Sequence, residues 1–124
     1  MKKDSDVLLG EMLDAVAAVM DYVQGLDRDA FLKDARTQDA VCMRLLTLGE
    51  AAGALLRHFP DFENNSPDIP WRAMAGLRNH IAHDYFGLDK EMVWQTAAVD
   101  MPILAGQLRR LTHEPPAPTP ETSA

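Results

Sequence analysis

The sequence is poor in cysteine and has no long apolar run. Cys42 is its only cysteine, which excludes an internal disulfide or a site with several thiolate ligands and is typical of a reducing compartment. The longest apolar stretch covers residues 15–20, far short of the roughly 20 residues that a membrane-spanning helix needs. The opening MKKDSD has no apolar core of a signal peptide. We therefore expect a cytoplasmic protein without a membrane span.

Positive charge is also scarce. The chain has 12 Lys and Arg against 19 Asp and Glu, a formal net charge of −7, which argues against broad, non-specific adhesion to nucleic acid. Any contact with phosphate must therefore be local. Residues 71–85 are the exception, because Arg72 and Arg78 outnumber Asp84 there and two histidines add positive charge when protonated.

No segment alternates polar and apolar residues over the length of a strand. Apolar residues instead recur at steps of three and four, as along one face of a helix. We therefore predict an all-α fold, an antiparallel bundle of four long helices plus a short helical turn. Ser5 is the expected N-cap of the first helix and Gly25 its expected stop. The predicted elements are helices over 6–24 and 37–59, a third from Pro70 to Tyr85, a fourth that Asp89 caps and Pro102 kinks, and a short turn around 29–35.

Proline marks two breaks in the helical pattern. Residues 60–70 contain three prolines and are predicted to be a loop. Residues 114–124 contain four prolines and no large apolar side chain, so they cannot bury enough surface to offset the entropy of ordering. We therefore predict one helical domain over residues 1–113 and a disordered Pro-rich tail over residues 114–124.

The polar side chains of residues 78–85 are too dense for a core helix. They comprise a guanidinium, an amide, two imidazoles, a carboxylate and a phenol. On a helix Asn79 and His83 share a face, whereas Arg78 and His83 are separated by about 140° around the axis. A site that uses both needs a long bent arginine, a helix that ends near His83, or a second subunit. We favour a helix that ends near His83 combined with a second subunit. A twofold axis beside this helix then places two copies of Arg78 and His83 in one cleft.

The groups in this cluster suit the cleavage of RNA by its own 2′-hydroxyl. That reaction needs a group to take the hydroxyl proton, a group to protonate the leaving 5′-oxygen, and positive charge for the phosphorane oxygens. Histidine serves as acid or base near neutral pH, and arginine offers a fork that matches phosphate oxygens. Asn79 is a candidate to orient His83 or to hold a phosphate. The reaction requires no metal.

Two stretches of the sequence resemble HepT-like toxins of the HEPN superfamily. The run IPWRAMAGLRNHIAHDYFGLD, residues 69–89, is similar to the family signature, in which Arg is followed after four residues by His, with Tyr two positions further on. Upstream, DAVCMRLLTLGEAAGALL, residues 39–56, is similar to the family's second helix with its Gly-Glu-Ala-Ala segment. The resemblance covers the chain from about Ser5 to Leu111.

This resemblance implies a function and a partner. The protein would be a metal-independent endoribonuclease that acts on RNA as a homodimer, with Arg78 and His83 as catalytic residues, Asn79 as the accompanying polar residue and no cofactor. Such toxins are paired with a small MntA-type nucleotidyltransferase antitoxin. That antitoxin is implied to neutralise the toxin by transferring AMP to Tyr85, because an anion placed two residues from His83 obstructs the cleft.

Two neighbouring residues leave alternatives open. His80 lies inside the motif and is interpreted either as an exposed or RNA-contacting side chain or as a helper in catalysis. The spacing of His80 and His83 also suits a metal, but third and fourth ligands are missing nearby, so no metal site is predicted. Glu50 interrupts an apolar segment and either faces solvent, pairs with Arg57, or reaches the cleft of Arg78 and His83 as a supporting carboxylate.

The main alternative function is a catalytically weak helical module. It would bind the partner protein or a nucleotide, with Arg78 contacting phosphate. The acidic balance of the chain and the lack of a broad basic patch favour this alternative. An assay of RNA cleavage in the presence of a chelator distinguishes a metal-independent endoribonuclease from a binding module.

Overall fold

The computed structural model describes residues 3–112, which contain helices and no strand and confirm the predicted all-α class. Within this range no helix is both long and apolar enough to cross a membrane. The predicted tail, 114–124, lies outside the described residues. The elements are α1 (Ser5–Val23), α2 (Arg28–Leu32), α3 (Ala35–His58), α4 (Asp61–Asn65), α5 (Trp71–His83), a 3₁₀ turn (Tyr85–Gly87), α6 (Lys90–Gln95), a π-helical turn (Thr96–Asp100) and α7 (Met101–Thr112).

Aspartates cap the starts of four helices, α1, α2, α3 and α6. The carboxylate of Asp4 accepts from Val7 N at 3.0 Å, so the prediction that Ser5 caps α1 is wrong by one residue. The reason is that the extended backbone of Asp4 lets its carbonyl accept the first helical bond, from Leu8 N at 3.2 Å, leaving Ser5 inside the helix. Asp89 caps α6 as predicted, accepting from Glu91 N at 2.9 Å.

The turn between α1 and α2 confirms the predicted stop at Gly25. Gly25 has φ +82°, a conformation that glycine adopts without steric cost, and Leu26 N donates to Val23 O at 3.0 Å across it. The short helix that follows covers Arg28–Leu32 rather than 29–35. It ends early because Asp34 already caps α3, accepting from Thr37 N at 3.0 Å.

The predicted loop over residues 60–70 is partly wrong, because it contains the short helix α4. Pro60 stands at its N-cap with helical dihedral angles, which the proline ring favours. Side chains then fix this turn to the next helix: the rings of Phe62 and Trp71 lie 6.2 Å apart between centroids, and Arg72 Nε donates to Glu63 at 2.7 Å. Tertiary contacts therefore order a segment whose composition predicts a loop.

Four long helical segments enclose one core, with α1 packed on α3 and α7 and α3 packed on α5. The start of α1 lies beside the end of α3, and Tyr85, after the end of α5, bonds to Asp39 near the start of α3, so both pairs are antiparallel. Cys42 is buried. The largest fully buried side chains include Trp71, Phe31, Met12, Leu45, Leu48, Leu55 and Leu108.

The last long segment is helical from Lys90 to Thr112, with a π-helical turn at its centre. That turn, Thr96–Asp100, ends two residues before Pro102. Proline lacks an N–H to donate and its ring crowds the preceding turn, and a π-helical turn is one way to accommodate such a break. The irregularity predicted at Pro102 thus takes the form of a widened turn on its N-terminal side.

Candidate active site on α5

Three buried side chains fix the orientation of α5. Trp71, Met74 and Ile81 are between 1% and 5% exposed, so they form the core face of this helix. The opposite surface therefore faces outward, and Asn79, His80 and His83 are exposed. Arg78 lies between the two surfaces and is half-buried.

Close contact between α3 and α5 occurs at Gly49. A Cβ atom at this position would lie 2.7 Å from Arg78 Cβ and 2.7 Å from Met74 O, closer than such atoms approach. Glycine in the middle of a helix costs roughly 1 kcal/mol relative to alanine, and here the missing side chain lets the backbone of α5 pack directly on α3. Gly49 therefore sets the position of Arg78.

Glu50, the next residue, lies beside the side chain of Arg78. Its Oε1 is 3.5 Å from Arg78 Nε, with the two side chains 55% and 42% exposed. Nε itself is shielded from solvent and has no hydrogen-bond partner among residues 3–112, so the contact is one of charge rather than an aligned hydrogen bond. The structure thus brings Glu50 to Arg78, and no ion pair of Glu50 with Arg57 occurs in the described part of the chain.

The amide of Asn79 also turns toward Arg78. Its Oδ1 accepts from an Nη of Arg78 at 3.4 Å. Within residues 3–112 no hydrogen bond links Asn79 to His83, so the structure does not give Asn79 the orienting role suggested from their shared helix face.

His83 is the last residue of α5. A helix that ends near His83 is one of the arrangements that would allow Arg78 and His83 to act in the same site. The side chain of His83 is exposed, and no hydrogen bond or ion pair to it occurs within the described range. The side chain of His80 is also exposed, and no hydrogen bond or ion pair to it occurs among residues 3–112. No group of three or more His, Cys, Asp and Glu side chains suited to a metal occurs among residues 3–112. The imidazole of His83 is therefore open to solvent and to a substrate.

Tyr85 contacts two charged residues that sequence reasoning missed. Its hydroxyl donates a hydrogen bond to Oδ1 of Asp39 on α3, and Lys90 Nζ lies 5.6 Å from its ring centroid. Phe86 packs edge-on against the same ring, 5.5 Å away between centroids, and is itself 95% exposed. No sequence signal pairs Asp39 with Tyr85, because 46 residues separate them and only the packing of α3 on α5 brings them together.

A cavity of about 450 Å³ opens beside Tyr85. Its walls are mostly apolar, and Asp39 and Tyr85 supply its polar groups. Burial raises the pKa of the Cys42 thiol, the charge of Lys90 opposes that rise and the charge of Asp39 adds to it. The cavity is lined by Asp39, Cys42, Met43, Leu46, Ile81, Ala82 and Tyr85.

Comparison with known proteins identifies the class to which this helical bundle belongs. Residues 12–111 match the family described as Ribonuclease HepT-like, a range that includes Glu50 on α3 and all of α5. The chain therefore belongs to the HepT-like ribonuclease family, which confirms the resemblance seen in its sequence. No solved structure matches the chain at a significant level.

Curated relatives agree with this assignment. A protein of Methanocaldococcus jannaschii whose name provisionally assigns it as an RNase is 36% identical over 82% of this chain and 81% of its own length. A protein of Thermococcus cleftensis, provisionally named ribonuclease HepT, is 34% identical over 90% of this chain and 98% of its own length. A third, from Caldanaerobacter subterraneus subsp. tengcongensis and also provisionally named an RNase, is 27% identical over 83% of this chain.

Proposed function

We propose that this protein is a metal-independent endoribonuclease, the toxin of a toxin–antitoxin pair, and that it cleaves RNA at a cleft shared by two copies of the chain. The observation that carries the proposal is the arrangement on α5. A guanidinium is held against α3 with 42% of its side chain exposed, and a solvent-facing imidazole stands at the end of the same helix. Membership of the HepT-like ribonuclease family supplies the substrate class.

The chemistry needs only these two side chains and the RNA. A neutral imidazole of His83 takes the proton of the 2′-hydroxyl, whose oxygen attacks the adjacent phosphorus. The bond from phosphorus to the 5′-oxygen breaks, and an imidazolium protonates that leaving oxygen. Arg78 donates hydrogen bonds to the phosphorane oxygens, where negative charge develops. The products are a 2′,3′-cyclic phosphate and a free 5′-hydroxyl.

Two arguments support a homodimer. The proton acceptor and the proton donor stand on opposite sides of phosphorus during in-line attack, so two imidazoles serve better than one. Arg78 and His83 are also separated by about 140° around the axis of α5, and Arg78 is held to α3 by Glu50 and Gly49. A twofold axis beside α5 places the His83 side chains of both copies close to both guanidinium groups.

Regulation of the toxin by covalent modification fits the position of Tyr85. In the proposed pair, an MntA-type nucleotidyltransferase antitoxin transfers AMP to the Tyr85 hydroxyl. Tyr85 is half-buried and lies two residues after His83, next to the end of α5. A phosphodiester attached there adds a bulky anion beside the imidazole, which blocks RNA and repels its phosphates.

Cleavage of RNA in a chelator tests the enzymatic proposal. The purified, unmodified chain should cut RNA in EDTA, and Arg78→Ala and His83→Ala should each lower the rate by about 100-fold or more. Arg109→Ala and His58→Ala are matched controls, because these exposed residues carry the same side chains on α7 and α3 rather than on α5, and they should cleave at the wild-type rate. Loss of activity in EDTA would point to a metal-dependent hydrolase instead.

A binding module without cleavage activity is the second candidate function, favoured by the net charge of −7. It predicts that the wild-type chain leaves RNA intact under every condition of the same assay. It also predicts that expression of the wild-type chain does not arrest growth. Growth arrest that either Arg78→Ala or His83→Ala relieves would reject this candidate.

A further inference from the structure

The hydroxyl of Tyr85 has a proton acceptor within its own chain. It donates its hydrogen bond to the carboxylate of Asp39 on α3. Asp39 is exposed and Tyr85 is half-buried, so the pair is open to a second protein. Cleavage of RNA by Arg78 and His83 makes no use of this carboxylate, and Asp39 does not cap a helix in the described structure.

A positive charge completes the surroundings of the phenol. Lys90, in the first turn of α6, places Nζ 5.6 Å from the Tyr85 ring centroid. Cys42 lines the same cavity as Asp39 and Tyr85; burial raises the pKa of its thiol, the charge of Lys90 lowers it and the charge of Asp39 raises it. Three elements of the fold therefore bring a carboxylate and an ammonium group to the phenol of Tyr85.

We propose that Asp39 is the general base for the adenylylation of Tyr85 and that Lys90 is the counter-charge for the phosphodiester that forms. The inference rests on the proposed function, because it concerns the reaction with the nucleotidyltransferase and ATP. The Tyr85 oxygen gives its proton to the Asp39 carboxylate and attacks the α-phosphorus of ATP. The bond from that phosphorus to the bridging oxygen of the β-phosphate breaks, and pyrophosphate leaves with that oxygen.

The charge balance favours this role over a merely structural hydrogen bond. An ionised carboxylate beside the Tyr85 oxygen repels an approaching α-phosphate. When Asp39 accepts the proton it becomes neutral, so the repulsion disappears as the new phosphodiester forms. Lys90 then offsets the negative charge that stays attached to the chain. In protein kinases, too, an aspartate accepts the proton of the substrate hydroxyl that attacks the phosphate.

Intact-mass measurement over time tests the inference. The purified chain is incubated with an MntA-type nucleotidyltransferase and with magnesium ATP, and the mass increase of one AMP is followed. Asp39→Asn should slow adenylylation by about 100-fold, the contribution of a general base, whereas Asp39→Glu keeps a carboxylate and should stay within about tenfold of wild type. Lys90→Met should slow it severalfold. Asp14→Asn, which removes an exposed carboxylate on α1, is the control and should change nothing.

The outcomes separate this inference from the proposed function. If wild type gains no AMP, or if Tyr85→Phe gains it as fast as wild type, the proposed modification of Tyr85 is wrong. If wild type is modified on Tyr85 and Asp39→Asn is modified at the same or a higher rate, the role of Asp39 is wrong and the proposed function stands. Because Asp39 is exposed, its replacement should leave the fold intact, and a thermal melt of each variant checks this.

Discussion

At the scale of single residues, Arg78 is positioned by contacts with α3 and with its neighbour on α5. Glu50 lies 3.5 Å from its Nε, and Asn79 accepts from one of its terminal nitrogens at 3.4 Å. In the proposed mechanism the rest of the guanidinium binds phosphate. An exposed ion pair of this kind contributes at most about 1 kcal/mol, so Glu50 orients Arg78 more than it stabilises the fold.

Replacing Glu50 tests this positioning role. Glu50→Gln should lower the kcat of RNA cleavage by about fivefold, the factor that corresponds to about 1 kcal/mol, and leave KM and the melting temperature close to wild type. Steady-state kinetics on one defined RNA measure kcat and KM separately. Glu63→Gln, which breaks the Arg72 pair elsewhere, is the matched control. An unchanged rate and pH profile for Glu50→Gln would remove Glu50 from the mechanism.

Asp34 makes stability depend on pH in a predictable direction. Hydrogen bonds from the side chain and backbone of Thr37 lower the pKa of Asp34. Its folded pKa is therefore below the unfolded value of about 3.9, so its stabilisation is complete above that value and is lost as the pH falls through the folded pKa. Asp34→Asn keeps a helix cap but cannot titrate.

Urea unfolding of wild type and Asp34→Asn across the acid range measures this contribution. Wild type should be the more stable protein near neutral pH, and the difference in free energy of unfolding should shrink as the pH falls below about 4. Asp14→Asn is a control for the loss of one exposed carboxylate. A difference between wild type and Asp34→Asn that stays constant with pH would contradict the assignment.

At the scale of elements, the contact between α3 and α5 determines the site. Gly49 lets the two helices approach at Arg78, where a Cβ would lie 2.7 Å from both Arg78 Cβ and Met74 O. The packing of α3 on α5 also brings Asp39, near the start of α3, to Tyr85, just after the end of α5. Both the proposed cleavage site and the proposed modification site therefore depend on the spacing of these two helices.

A pair of glycine substitutions tests the close approach. Gly49→Ala should destabilise the protein by about 1–3 kcal/mol, because overpacking between α3 and α5 outweighs the helix propensity gained, and it should also slow RNA cleavage by moving Arg78. Gly53→Ala is the matched control, since its Cβ would meet only the flexible end of Arg57 at 3.3 Å and Ala75 Cβ at 3.9 Å. Equal stability of the two variants in urea would contradict this account of Gly49.

At the scale of the whole molecule, the chain combines a net charge of −7 with the local site for phosphate proposed on α5. Under this proposal the affinity for RNA comes from a few groups around α5 rather than from a broad basic surface. The proposed cleft between two copies would double the number of such groups. It would also make cleavage depend on association of the chains, which a monomeric enzyme would not show.

Mixing active and inactive chains tests whether cleavage depends on the association of two chains. Light scattering should give the mass of a dimer at assay concentrations. At saturating RNA, a severalfold excess of His83→Ala chains should lower the activity of a fixed amount of wild type, because most wild-type chains then share a cleft with an inactive partner. Chains with Arg109→Ala, a change on α7 that leaves Arg78 and His83 in place, should not lower it. A monomeric mass would contradict the shared cleft.

The sequence by itself determined the helical class, most helix bounds to within a few residues, and the polar cluster at residues 78–85, because apolar spacing and motif spacing are local properties of the chain. It also predicted Gly25 as a stop and Asp89 as a cap from local backbone chemistry. Tertiary structure alone decided that Glu50 lies beside Arg78, that Asp39 bonds to Tyr85, and that α4 is ordered within a Pro-rich segment. The contacts of Glu50 and Asp39 join residues that are far apart in sequence, and only the close packing of antiparallel helices brings them within reach. The helix α4 is ordered by contacts of Phe62 and Glu63 with the start of α5, which composition does not reveal.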